Sequence, residues 1–268
     1  MDDLTMFYAW QSDRVKNDHQ YFIRDAARVA IKRVRADGDI DDSPRLDSDT
    51  QNVAGTPEIA ATIFGKIDKA GLFLGDVSFV SYVAPVNDAS PKLLPNPNVL
   101  IELGYAAARL GWDRIICVIN NAWGPSDDLP FDLRHRRWPV TYHLPEGASQ
   151  EERKKQSEAL AKGIEIAVKL AIQAEHGAVA DIIGRLDIHC LIWMRELGNR
   201  AYFRGPERQT MGDLLSFQAL DAALPRLLSL GILRCDVNPE GVLYAYHWTY
   251  IGKQVLRKLG FRNVQIPA

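Results

Sequence analysis

Cysteine is scarce: Cys117, Cys190 and Cys235 are the whole complement of a 268-residue chain, and none belongs to a Cys-x-x-Cys pair. A disulfide framework is excluded, and isolated buried thiols are expected. Long apolar runs are missing too. No uninterrupted stretch approaches the ~20 residues a membrane span needs, and the opening Met1-Asp2-Asp3-Leu4 carries acid where a secretory or mitochondrial signal carries base. The expectation is a cytoplasmic protein without membrane contact. The six histidines show no His-x-x-x-His or His-Cys spacing that would suggest a metal site, so no metal is expected; no bound cofactor is expected either. Gly-x-x-x-x-Gly-Lys, Gly-x-Gly-x-x-Gly and Gly-x-Ser-x-Gly do not occur, which removes the phosphate loop, the dinucleotide fingerprint and the serine-nucleophile elbow.

Neither sign of charge dominates, the net being −2. From Ala178 onward 11 basic residues face 8 acidic ones, which leaves 21 and 26 of the totals 32 and 34 to the first 177 residues. The tail is mildly basic and the front mildly acidic, a weak argument for nucleic-acid binding. What is present is ordinary globular composition, 47% hydrophobic and 25% charged, in a chain long enough for a medium domain and a small companion. Two domains are expected, residues 1–177 and 178–268.

In the front part, short apolar runs alternate with helical periodicity. Leu4 to Trp10 reads as a buried strand, followed by a helix on which Tyr21, Phe22, Ala26, Val29, Ala30 and Arg33 recur, ending before Asp37-Gly38. Pro44 to Leu46 is a short extended piece. Thr56 and Pro57 look like the cap and first position of a helix through Lys69, and Gly71 to Val77 reads as a strand. Ser81 to Pro95, with three prolines, is expected to be a lid or an irregular excursion. A third helix, Val99 to Leu110, a strand from Asp113 to Ile119, a strand from Val140 to Leu144 and a helix from about Gln150 to Gln173 complete the unit. Strands separated by helices of this length call for parallel pairing with right-handed crossovers, hence an α/β fold built on a doubly wound parallel sheet.

Ligands in such sheets bind beyond the carboxyl ends of the strands. Four polar clusters follow directly after predicted strands: Gln11-Ser12-Asp13, Asp47-Ser48-Asp49, Asp76 with Ser78, and Asn120-Asn121. They either line one rim or serve as helix and turn caps, roles these residue types favour. The sharpest feature is Asn96-Pro97-Asn98-Val99-Leu100-Ile101-Glu102-Leu103-Gly104-Tyr105-Ala106. On a helix Asn98, Glu102 and Tyr105 share a face, and Glu102 is either a solvated outer residue or a carboxylate aimed into a pocket.

This segment, with Phe7-Tyr8-Ala9-Trp10-Gln11-Ser12-Asp13 upstream and Gly75-Asp76-Val77-Ser78 between, resembles the bacterial TIR-like (Toll/interleukin-1 receptor-like) nucleotide-binding family and, more distantly, the nucleoside 2-deoxyribosyltransferases. The resemblance covers roughly the first two thirds of the chain and implies a TIR/flavodoxin-like sheet. In both families the helix glutamate is catalytic, and Glu102 is the matching position. The loop after the first strand implies that Trp10, Ser12 and Asp13 hold substrate. Similarity to the deoxyribosyltransferases places Tyr8 against the sugar and carboxylate and Asp76 at the base; Asp49, Asn98 and Tyr105 complete the candidate binding set. The first strand carries Ala-Trp-Gln-Ser-Asp where receptor TIR domains show a Ser-Tyr type sequence, which argues against a receptor-type adaptor.

The implied activity is cleavage of an N-glycosidic bond, with NAD+ or a related nucleotide as substrate. Its products would be free or cyclic ADP-ribose, in bacterial anti-phage defence switched on by self-assembly or a protein partner. Breaking that bond builds oxocarbenium character at the anomeric carbon, which a carboxylate stabilises or traps. NAD+ releases a neutral base from a cationic ring and needs no proton, whereas a neutral nucleoside needs a general acid. Asp76 is the candidate for that second role, so its use discriminates nucleosides from NAD+. A nucleotide sensor without turnover is the reading from another class. Phe131 to Trp138 gathers cations that could meet a pyrophosphate, form a solvated loop or contact a subunit, and it stays outside the candidate site.

The tail reads as helices Ile182 to Leu197 and Phe217 to Leu230, a hairpin from Ile232 to Tyr250 turning at Asn238-Pro239-Glu240-Gly241, and a helix Ile251 to Leu259. Helices followed by a hairpin resemble a small α+β winged-helix module. Arg226 or Lys253 could approach phosphates in such a module, but the mild charge favours protein interaction over nucleic acid.

Overall fold

The computed structural model describes residues 4–37, 44–48, 58–84, 91–134, 139–200, 202–204, 217–237 and 244–261. The chain divides into two compact units, Met1–Gln173 and Ala174–Ala268. The first unit is an α/β domain whose sheet strands are β1 (Thr5–Ala9), β2 (Arg45–Asp47), β3 (Leu72–Asp76), β6 (Ile115–Asn120) and β7 (Val140–Tyr142). They pair in the order β2-β1-β3-β6-β7, all parallel. Counting only these five, the order is 2-1-3-4-5, which reverses direction between β1 and β3.

Helices α1 (Gln20–Ala36), α2 (Ile59–Lys69), α3 (Pro97–Leu110) and α5 (Gln150–Gly184) flank the sheet, and α4 (Phe131–Arg134) is a single turn. Phe7, Ala9 and Phe73 pack with Ile67 of α2 and with Val99 and Leu103 of α3. Strand alternation turns Tyr8 to the opposite face, where its hydroxyl donates to the Gln20 carbonyl at the start of α1 (3.2 Å). On that face Phe22 stacks on Tyr142 with ring centroids 5.2 Å apart, and Arg33 of α1 pairs with Glu158 of α5 at 2.8 Å. Gly163 lets α5 settle onto β7, since a Cβ there would lie 2.5 Å from a Val140 methyl. Each fully buried Val, Leu or Phe of these layers contributes about 1.5–3 kcal/mol.

Several expectations are corrected. The two ends of the segment Ser81 to Pro95 are not irregular: β4 (Phe79–Val83) pairs antiparallel with β5 (Lys92–Pro95), and residues 85–90 lie outside the described residues. The β-branched and aromatic alternation of Phe79-Val80-Ser81-Tyr82-Val83 outweighs the proline signal. Helix α2 starts at Ile59 with Glu58 at its cap; Thr56 and Pro57 lie outside the described residues. Helix α5 ends at Gly184 rather than near Gln173 and carries the chain through the expected boundary at 177. Nothing in Ala174 to Ile183 stops a helix, and Val179 is buried in the second unit's core.

In that second unit the expected single helix Ile182 to Leu197 is two, because Asp187 accepts a hydrogen bond from the Cys190 N–H (2.9 Å) and starts α6 (Ile188–Leu197). A strand not foreseen, β8 (Tyr202–Arg204), joins β9 (Leu233–Val237) and β10 (Tyr244–Trp248) in an antiparallel sheet of order β8-β10-β9. Helices α7 (Phe217–Ser229) and α8 (Tyr250–Lys258) complete it. Trp193, Met194, Leu197, Leu227, Val255 and Leu256 form its core. Gly252 lies against the Ile232 carbonyl, which a Cβ would approach to 2.1 Å. The expected turn Asn238 to Gly241 lies outside the described residues. No helix among the described residues is long and apolar enough to cross a membrane.

Candidate active site

Helix α3 owes its start to Asn96. Its backbone is extended (φ −61°, ψ 129°), and its side-chain oxygen accepts from the N–H of Asn98 (2.9 Å) and of Val99 (3.2 Å), with Pro97 at the first helical position. Such a cap stabilises a helix by about 1 kcal/mol. Val99, Leu103 and Ala106 then bury one stripe. Leu103 is 2% exposed and Ile101 60%, so Glu102 stands between a core position and an open one. Glu102 itself is partly exposed, at the seam between core and solvent.

A cleft of about 160 Å3 opens at that seam. Trp10 and Ser12 line it from the loop after β1, Asn96, Asn98 and Glu102 from the start of α3, and Ile63 from α2. This is the place where the strand order reverses, the position at which open parallel sheets bind ligands. Trp10, Ser12, Asn98 and Glu102, all expected in the site, are thus brought together. Among the residues that line the cleft, Glu102 is the one acid.

The loop after β1 is held at three points. Gln11 Oε1 accepts from the N–H of Asp13 (2.8 Å) and of Arg14 (2.9 Å). Asn96 Nδ2 donates to Asp13 Oδ2 at 2.6 Å. Arg14 Nε donates to the Phe79 carbonyl (3.1 Å), and its guanidinium lies 3.6 Å over the Trp123 ring. Burial lowers the Arg14 pKa from its ordinary value, against the pull of Asp13 and Glu146. Gln11, Arg14 and Trp123 were not foreseen as a set, because they meet only through tertiary contacts; Asn96 was legible as a helix start but not as a link to Asp13.

Asp76 and Tyr105 lie elsewhere, as does Asp13, and Tyr8 lines the cleft from β1. The Asp76 side chain is fully buried and does not line the cleft: Oδ1 accepts from the Ser78 N–H (3.0 Å), and Oδ2 is 3.5 Å from His19 Nδ1. Tyr8 contributes to the cleft lining but is 1% exposed, with its hydroxyl turned to α1. Burial, reinforced by the Asp76 charge, pushes the hydroxyls of Tyr8 and Tyr142 well above the usual tyrosine pKa. Tyr105 shares the helix face one turn further along, where it donates to Asp68 (3.0 Å) and stacks on Phe64 at 4.4 Å. Asp49 lies outside the described residues, as do residues 135–138 of the basic stretch. For the polar clusters, capping is what most of the side chains do: Gln11 serves its own loop, Asp47 accepts from the Ser48 N–H, and Asn120 accepts from the N–H of Ala122 and Leu144.

Compared with models of known protein families and with curated proteins, the chain matches none. The site therefore has to be argued from its own geometry. No group of three or more His, Cys, Asp and Glu side chains able to hold a metal ion occurs among the described residues. The arrangement offers one carboxylate beside a polar, partly apolar cleft, with an indole and two amides around it. Such a set can hold a sugar and face a developing positive charge.

Proposed function

We propose that the first unit cleaves the nicotinamide–ribose bond of NAD+, with Glu102 as the catalytic carboxylate. One observation carries this reading: the cleft at the sheet's reversal point is lined by a single acid. The C1′–N bond breaks with its electron pair passing to the pyridinium nitrogen, which leaves as neutral nicotinamide. Positive character builds on C1′ and O4′, where Glu102 stabilises it. Water then attacks C1′, a proton is lost and ADP-ribose results; attack by a group of the same molecule gives a cyclic product. In this reading Asn98 and Ser12, which line the cleft, meet ribose hydroxyls and Trp10 covers the base. A nucleoside substrate would need an acid to protonate its base, and Asp76, the candidate for that task, ends β3 fully buried beside His19. The deoxyribosyltransferase reading therefore loses its proton donor.

At about 160 Å3 the cleft is below the ~300 Å3 at which drug-sized pockets begin. In this reading the cleft takes the nicotinamide end, with the rest of the dinucleotide across the rim. In this reading the α+β second unit, with its paired helices and hairpin, is a winged-helix-like module for a protein partner or a second copy. The reaction belongs to a bacterial defence response, as the family resemblance implies. Purified wild type and Glu102→Ala are incubated with NAD+, nicotinamide is followed by chromatography, and the fold is checked by circular dichroism. Release by wild type alone is expected. Equal release by both folded proteins would remove Glu102 from the mechanism.

A further inference from the structure

The hydrogen bond between Asp13 and Asn96 joins two segments 83 residues apart in sequence, and its geometry gives it a task. The Asn96 amide has two ends. Its oxygen holds the first two free N–H groups of α3, those of Asn98 and Val99; its nitrogen is held by Asp13 Oδ2 at 2.6 Å. An amide of this kind can turn over about its terminal torsion, exchanging oxygen for nitrogen. Turned over, it would present N–H to N–H at the helix start. The carboxylate of Asp13 accepts only, so it fixes which end faces the helix, and its negative charge lies at the positive end of α3. Asp13 is itself fixed, since its N–H donates to Gln11 Oε1 and Arg14, the next residue, is pinned to the Phe79 carbonyl.

We infer that Asp13 is a positioning residue: through Asn96 it sets the first turns of α3, and so the placement of Asn98 and Glu102 in the cleft. This departs from the role the resemblance implies, in which Asp13 holds substrate. It rests on the proposed function only for its catalytic consequence; the structural coupling stands independently. Misplacement of a reacting group by about 1 Å costs about a hundredfold in rate, so the loss is expected in kcat rather than in KM.

The test is a double-mutant cycle on the full-length chain with Asp13→Ala, Asn96→Ala and the double variant, together with Asp13→Asn. Two readouts are taken: nicotinamide release, separated into kcat and KM, and hydrogen exchange at the amides of Asn98 and Val99. Asp13→Ala is expected to raise exchange at those two amides by about fivefold, the equivalent of a lost cap, and to lower kcat by about ten- to a hundredfold. Asp13→Asn keeps an acceptor oxygen and is expected to restore most of both. In the Asn96→Ala background, removing Asp13 adds nothing further. Additive effects, or a KM change alone, would make Asp13 a substrate contact and overturn the inference. So would unchanged exchange in Asp13→Ala. Should wild type release no nicotinamide, the NAD+ reading fails while the exchange cycle still decides the coupling.

Discussion

The rim of the five-stranded sheet has two sides that use the same chemistry to different ends. On the α2–α3 side a carboxylate, Glu102, stands beside an open cleft. On the α1–α5 side another, Asp76, ends β3 fully buried among His19, Tyr8 and Tyr142. Strand alternation keeps Asp76 from the cleft: Gly75 and Phe73 face the α2–α3 layer, Asp76 and Leu74 the other. A carboxylate that can meet a ligand has to keep part of its surface free. One that is wholly enclosed is committed to its neighbours, because an unpaired buried partner is costly. The position of an acid at the end of a parallel strand is therefore not enough to make it catalytic; which face it takes decides.

Exchanging these two acids for alanine breaks the comparison most sharply. Glu102→Ala is expected to lower NAD+ turnover by about a thousandfold with the fold intact by circular dichroism. Asp76→Ala is expected to do the reverse, destabilising the fold by about 3 kcal/mol while the molecules that remain folded keep their turnover. A large loss of turnover in stable, folded Asp76→Ala would return Asp76 to the site and reopen the nucleoside reading. A smaller effect sharpens the same contrast along α3. Tyr105→Phe removes only the hydroxyl bonded to Asp68 and is expected to cost about 1 kcal/mol in urea unfolding without altering kcat or KM; a changed KM would extend the cleft one turn along the helix.

The smallest effect concerns the start of α5. Ser149 and Glu152 form a reciprocal cap: Ser149 N–H donates to Glu152 Oε2 (2.9 Å) and Glu152 N–H to Ser149 Oγ (3.2 Å). Hydrogen bonds from Ser149 favour the charged form and lower the Glu152 pKa. Its contribution is complete above the ordinary glutamate value and is lost as pH falls through the lowered one. Protection of the amides in the first turn of α5, taken relative to their intrinsic exchange rates, is expected to fall as pH drops below the ordinary glutamate range, and Ser149→Ala is expected to flatten that dependence.

Much of this was legible in the sequence. The periodicity of Tyr21, Phe22, Ala26 and Ala30 and the short apolar runs at Leu4 to Trp10 and Gly71 to Val77 are local signals, and the sheet follows from their alternation. The Asn-Pro pair before Val99 marks a helix start because capping is local chemistry. What was not legible is direction. The sequence places Asp76 and Tyr8 at strand ends, but a one-residue difference sends a side chain to the opposite layer, and the spacing Glu102 to Tyr105 does not say where α2 will cover the helix. Arg14 over Trp123 joins residues more than a hundred positions apart, with no trace in either segment. Prolines misdirected the reading of Ser81 to Pro95, where pairing between β4 and β5 prevails over the turn signal.

The sheet also tapers. Its inner strands run five, five and six residues, while β2 and β7, at the two margins, have three each. A margin that short offers an incoming strand only a brief ladder of backbone groups to pair with. The sheet is thus poorly suited to templating fibrillar growth, and two copies of this protein would have to meet through side chains on helices and loops.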